Sequence, residues 1–133
     1  MLELVVFDVD GLMIDSERVW KDAFDETGNM YGISNLGDKV FPSLIGKRLE
    51  DEQEVLDRYI PNDIQEELLN KWRQIGMDSL ENEVPVKTGL YEMLDYLEQQ
   101  HIKKAVATTP CRELTEKRLK AIGIYDRFDC VIC

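Results

Sequence analysis

Two carboxylates end a short apolar run near the amino terminus, Leu4-Val5-Val6-Phe7-Asp8-Val9-Asp10-Gly11. Side chains two apart on an extended chain point the same way, so Asp8 and Asp10 are expected to face one site. Like charges this close repel, and a chain gains from such a pair mainly where a cation or a phosphoryl group engages it. A calcium loop is one use of Asp-x-Asp-Gly, but that loop needs Gly at its sixth position and Glu at its twelfth. Counted from Asp8 these are Met13 and Val19, so the calcium reading fails. The other use is phosphoryl transfer. One carboxylate attacks phosphorus while magnesium screens the charge, and the second protonates the leaving oxygen and then activates water. Thr108, at the end of a second apolar run, Ala105-Val106-Ala107, places a hydroxyl where it can reach the same oxygen atoms, although capping a strand end also explains it.

These residues need a particular frame. Residues 4–7 read as a strand buried on both faces, with the carboxylates at its carboxyl end, where ligands bind in α/β sheets. Gly11 turns the chain, and a mostly apolar loop runs to Asp15. Ser16 reads as a helix N-cap, and Val19, Trp20, Ala23, Phe24 and Thr27 form a helical stripe that Gly28-Asn29 ends. A short helix around 38–45 is disturbed by Pro42. Gly46-Lys47-Arg48 is a basic turn, a helix from Leu49 ends before Pro61, and the longest helix runs from residue 62 or 63 to about 80. Residues 16–82 therefore read as an all-helical insert.

The pattern then changes. A helix carries Leu90, Met93, Leu94 and Leu97 on one side. A strand over 102–108 follows, then a helix with Leu114, Leu119 and Ile122 inward, then a third strand at 128–132. This β-α-β order implies parallel strands. The expectation is an α/β protein with a core at 1–15 and 83–133 and helices at 16–82.

Composition narrows the function. The chain has 133 residues, with 44% hydrophobic and 32% charged, which suits a folded domain with an insertion. A formal net charge of −11 opposes nucleic-acid and anionic-membrane binding. No apolar stretch reaches membrane length, and the start lacks a signal sequence. Three cysteines make no disulfide framework, so a cytoplasmic location is expected. Cys130 and Cys133 are spaced C-x-x-C but read as small hydrophobes in a strand. His101 reads as a surface residue, and Cys111 as a small residue opening a helix.

Phe7-Asp8-Val9-Asp10-Gly11, continuing through Ile14-Asp15-Ser16-Glu17, resembles the first motif of the haloacid dehalogenase-like (HAD) superfamily. The branch it most resembles contains phosphatases and β-phosphoglucomutases with a helical cap. Ala105 to Thr109 resembles the second motif, and Val86 to Leu90 and Leu119 to Phe128 resemble the flanks. The resemblance implies a parallel three-layer core with a helical cap. It also implies a magnesium-dependent phosphatase acting on a small phosphorylated metabolite through an aspartyl-phosphate. Asp8 would be nucleophile and metal ligand, and Asp10 the general acid/base and a metal ligand through its carbonyl. Thr108 would bind phosphate, together with backbone N–H groups near Val9, Asp10 and Thr109. Lys47 and Arg48 resemble a cap turn that faces the site in relatives, and a solvated turn explains them as well. Trp20 stands where β-phosphoglucomutases carry histidine, which favours a phosphatase over a mutase. Packing within the cap explains Trp20 equally.

The family's third motif, a lysine, and its fourth, an acidic pair, both follow the third strand, and this sequence stops on that strand. The expectation is a truncated chain with turnover severely reduced or absent, or else a binding module. The first strand would become a sheet edge with unpaired backbone groups, open to association with another chain.

Overall fold

A computed structural model of the chain describes residues 1–44 and 49–133, with no side-chain placement at 49 and 50. The elements are β1 (Leu4–Phe7), α1 (Ser16–Met30), α2 (Leu36–Leu44), α3 (Leu49–Tyr59), α4 (Asn62–Asn82), α5 (Leu90–Gln99), β2 (Lys103–Ala107), α6 (Arg112–Ala121) and β3 (Cys130–Ile132). The fold is α/β. The chain divides into two compact units, Met1–Ser16 with Glu83–Cys133, and Glu17–Asn82.

In the first unit the three strands are parallel in the order β1-β2-β3. The register pairs Val6 with Ala105 and Ala105 with Cys130, and Phe7 with Val106. Val5, Phe7, Val106 and Val131 alternate onto one face, where they meet Leu90, Leu94 and Leu97 of α5 and Leu119 of α6. The opposite face differs from the expectation for β1. Leu4 is 48% and Val6 55% exposed, so this strand is buried on one face only among the described residues. The physical reason is that both crossover helices contribute to the core on the Val5 and Phe7 side, which leaves Leu4, Val6 and Ile132 facing out. Cys130 and Cys133 are likewise exposed rather than packed. His101 is exposed and takes a left-handed φ of 57° in the turn before β2.

The amino ends of β2 and β3 carry a dense ionic network. Arg127 donates from Nε and Nη2 to the two carboxylate oxygens of Glu98, both at 2.9 Å, and from Nη2 to Asp95. Lys104, only 6% exposed at its side chain, lies 3.4 Å from Glu98 Oε1. Asp129 accepts from the Lys104 N–H through Oδ2, and its own N–H donates to the Lys104 carbonyl. The Arg127 hydrogen bonds hold the Glu98 carboxyl below its ordinary range and push the guanidinium of Arg127 further up.

The second unit is helical, and its packing is aromatic. Phe24 stacks on Trp72 at 4.3 Å between ring centroids, and Trp72 meets Trp20 at 5.1 Å. Trp72 Nε1 donates to the Trp20 carbonyl at 2.9 Å, so its one polar atom is satisfied. Gly76 of α4 lies against the Trp20 ring so closely that a Cβ there would stand 2.1 Å from Cζ3. Gly28 does not end α1 as expected. It sits inside the helix because a Cβ would meet the Ile33 carbonyl at 2.6 Å and Leu36 at 2.7 Å, and the chain reverses later, at Gly32. Pro42 is accommodated inside α2, which runs from Leu36 to Leu44. Among the described residues no helix is long and apolar enough to cross a membrane.

Candidate active site

The loop after β1 is built to hold its place. Val9 is 2% exposed, and Met13 and Ile14 are fully buried, so the loop plugs the core rather than lying over it. Burial of each of these side chains contributes about 1.5–3 kcal/mol. The Val9 carbonyl accepts from the N–H groups of Met13 and Ile14 at 3.0 and 3.1 Å, and Gly11, at φ 79°, donates to the Ile14 carbonyl at 2.9 Å. Two further bonds clamp the loop to the segment before α5: Asp15 N–H to the Pro85 carbonyl and Lys87 N–H to the Met13 carbonyl, both 2.9 Å. Lys87 Nζ also approaches Asp15 Oδ1 at 3.5 Å. A 190 Å³ cavity beside this loop is lined by Phe7, Leu12, Met13, Lys87 and Thr88, among others, and its lining does not include Asp8 or Asp10.

On this frame Phe7 and Val9 turn inward, while Asp8 is exposed and Asp10 half-buried. The two carboxylates have different tethers. Asp8 Oδ1 accepts the N–H of Val9 at 2.8 Å. Asp10 Oδ1 meets Nη1 of Arg118 at 3.3 Å, and the Arg118 side chain is 8% exposed. Val9 N–H, expected to help cradle an anion, is therefore engaged by Asp8 here. The backbone bonds of the turn use the carbonyls of Val9 and Ile14, not that of Asp10.

Thr108 follows β2, and the register that pairs Phe7 with Val106 brings Asp8 and Thr108 to the carboxyl ends of adjacent strands. Such strands lie about 4.8 Å apart. Thr108 N–H donates to the Ile132 carbonyl at 3.0 Å. Its Oγ1 is buried and has no hydrogen-bond partner among the described residues. A buried hydroxyl without a partner costs roughly 1–3 kcal/mol of desolvation, and a bound anion would relieve that cost. Thr109 is exposed, and Cys111 is the residue before α6 and is also exposed.

The donor set fits magnesium. That ion takes one or two carboxylates and keeps the rest of its shell for water and phosphate oxygens, and Asp8 offers an exposed carboxylate beside the Asp10 carbonyl, which accepts no backbone hydrogen bond among the described residues. No group of three or more His, Cys, Asp or Glu side chains that could hold a metal occurs among the described residues. Trp20 belongs to the helical unit, where Trp72 and Gly76 engage its ring. Lys47 and Arg48 lie outside the described residues.

Residues 5–133 match the haloacid dehalogenase-like hydrolase family. The chain belongs to that family. It is 30% identical over 131 residues to pyrophosphatase PpaX of Halalkalibacterium halodurans, covering 98% of this chain and 59% of that protein. It is 28% identical to pyrophosphatase PpaX of Bacillus cereus strain Q1, again over 59% of the relative. The chain thus spans about three fifths of the length of these relatives. Among solved structures, a hydrolase from Streptococcus pneumoniae TIGR4 superposes with a TM-score of 0.79 at 21% identity, over 98% of this chain and 66% of that one. CbbY from Rhodobacter sphaeroides, in complex with xylulose-(1,5)bisphosphate, gives 0.59 at 19% identity, over 98% and 63%. At these identities the structures show a shared fold.

No sequence motif points to Arg118 as the partner of Asp10. It does stand four residues after Leu114 and four before Ile122, the residue that follows α6. A charge inside an apolar stripe signals a buried partner.

Proposed function

We propose that this chain carries the nucleophile, the acid/base and the phosphate-binding hydroxyl of a magnesium-dependent phosphatase that acts on a small phosphate ester or anhydride. The observation that carries the reading is the buried Thr108 Oγ1, without a hydrogen-bond partner among the described residues, just after β2, the strand beside the one that Asp8 follows.

A carboxylate oxygen of Asp8 attacks phosphorus, and the bond to the leaving oxygen breaks as Asp10 delivers a proton to it. Asp10, now ionised, takes a proton from water, whose oxygen attacks the aspartyl-phosphate and frees Asp8 and phosphate. The Thr108 hydroxyl donates to a phosphate oxygen throughout. Asp8 and the Asp10 carbonyl would hold magnesium, which when bound would supply positive charge against the carboxylate and the phosphoryl group. The helical unit is read as the cap that selects the substrate. The name of the PpaX relatives makes pyrophosphate a substrate to try beside simple monoesters.

The test is phosphate release from p-nitrophenyl phosphate and from pyrophosphate, with and without magnesium. Turnover that needs magnesium and is lost in Asp8→Asn supports the reading, and turnover that survives Asp8→Asn overturns it. Magnesium-dependent binding of orthophosphate without turnover favours a binding module instead. The outer edge of β1 has no strand partner among the described residues, an edge that a further strand could pair with. Sedimentation velocity tests whether a second copy does so, and a monomer at high concentration excludes it.

A further inference from the structure

We propose that Arg118 is a positioning residue that fixes the carboxyl group of Asp10 in one orientation through a partly buried contact. The inference rests on the reading of Asp10 as the general acid/base, and it adds a residue from an element that carries none of the site motifs.

Three observations support it. Arg118 Nη1 lies 3.3 Å from Asp10 Oδ1, across 108 positions of sequence. The Arg118 side chain is 8% exposed and that of Asp10 is 35% exposed, so the pair has a buried cationic side and an open anionic side. Arg118 also sits in the packed face of α6, between the buried Thr115 and Leu119. A guanidinium enclosed in this way has few rotamers, and its planar fork holds a partner in a defined direction. Arg118 is too enclosed to serve as a substrate contact, so it acts through Asp10.

The tethers of the two carboxylates then divide their work. Among the described residues Asp8 is held only by its neighbour's N–H, and it is exposed, as an attacking group must be. Asp10 is held from behind by a long-range contact, so its free oxygen keeps one direction while protons come and go. Geometry of this kind removes the need to orient the group at the moment of reaction.

The experiment reads the χ1 rotamer of Asp10 from scalar couplings in the isotope-labelled chain. One rotamer is expected to dominate in the wild type. Arg118→Met is expected to spread it over two or three staggered wells, with the main population falling to about half, and Arg118→Lys is expected to restore most of it. An unchanged Asp10 distribution in a folded Arg118→Met chain overturns the inference, because a purely structural arginine would change stability and leave that rotamer alone. Where methionine at 118 prevents folding, Asp10→Asn reads the same pair from the other side. Proton exchange at the Arg118 guanidinium is expected to rise about tenfold or more when the charged acceptor is lost, and no change overturns the inference. Turnover that survives Asp8→Asn would fault the reading of the reaction while leaving the rotamer result standing, so the two failures are distinguishable.

Discussion

The two ends of the β1-β2-β3 sheet carry comparable charge and use it in opposite ways. At the amino ends Glu98 meets Arg127 and Lys104, Asp95 meets Arg127, and Asp129 exchanges two bonds with the Lys104 backbone. At the carboxyl ends, among the described residues, Asp8 is tethered only locally, Thr108 Oγ1 has no partner, and Asp10 has one oxygen on Arg118. A chain selected for stability alone would satisfy both ends. Polar groups short of partners among the described residues at one end, next to a well-paired network at the other, are where a ligand would complete the bonding on the proposed reading.

The comparison can be broken most sharply at Asp8. Asp8→Asn is expected to lower magnesium-dependent phosphate release roughly a thousandfold, while thermal unfolding stays near the wild-type midpoint because the side chain is exposed. A large loss of stability would mean that the carboxyl end is structural after all. Thr108→Val comes next. It keeps the shape and removes the orphan hydroxyl, so KM is expected to rise about tenfold, as for loss of one hydrogen bond to a charged group. Unfolding in urea should be unchanged or shifted slightly upward. A clear destabilisation would show that Oγ1 has a partner in solution.

Smaller effects are expected from the amino end. Arg127→Met should lower the urea midpoint modestly, since the Glu98 side of the pair is 41% exposed and screened by water, and should leave turnover unchanged. The pH dependence carries a definite sign. Because Arg127 holds the folded Glu98 carboxyl below its usual range, that stabilisation is present above the unfolded carboxyl pKa of about 4.3 and is lost as pH falls through the folded value. Acid unfolding monitored by circular dichroism should therefore be less steep in Arg127→Met than in the wild type. An identical acid limb would mean that the pair contributes nothing in solution.

How much of this was legible in the sequence depended on the range of the interaction. The order of strands and helices follows from local periodicity, and Asp8, Asp10 and Thr108 are marked by their place at the ends of apolar runs. The one-sided burial of β1 was not legible, because Leu4 and Val6 are as apolar as Val5 and Phe7, and which pair faces out depends on where α5 and α6 pack. Gly28 looked like a terminator because its close contact with Ile33 and Leu36 is made by residues folding back later in the chain. Arg118 escaped for a related reason: its partner lies 108 residues away, beyond any local pattern.

The plug formed by Met13 and Ile14 has its own consequence. The segment bearing Asp10 has no hinge at which to swing free, because lifting it uncorks the hydrophobic interior beneath. The amides of Asp15 and Lys87, which stitch that segment down, should trade their hydrogens for deuterium only when the whole α/β unit melts. Chemistry and cohesion in this protein would then fail at one temperature, as a single event.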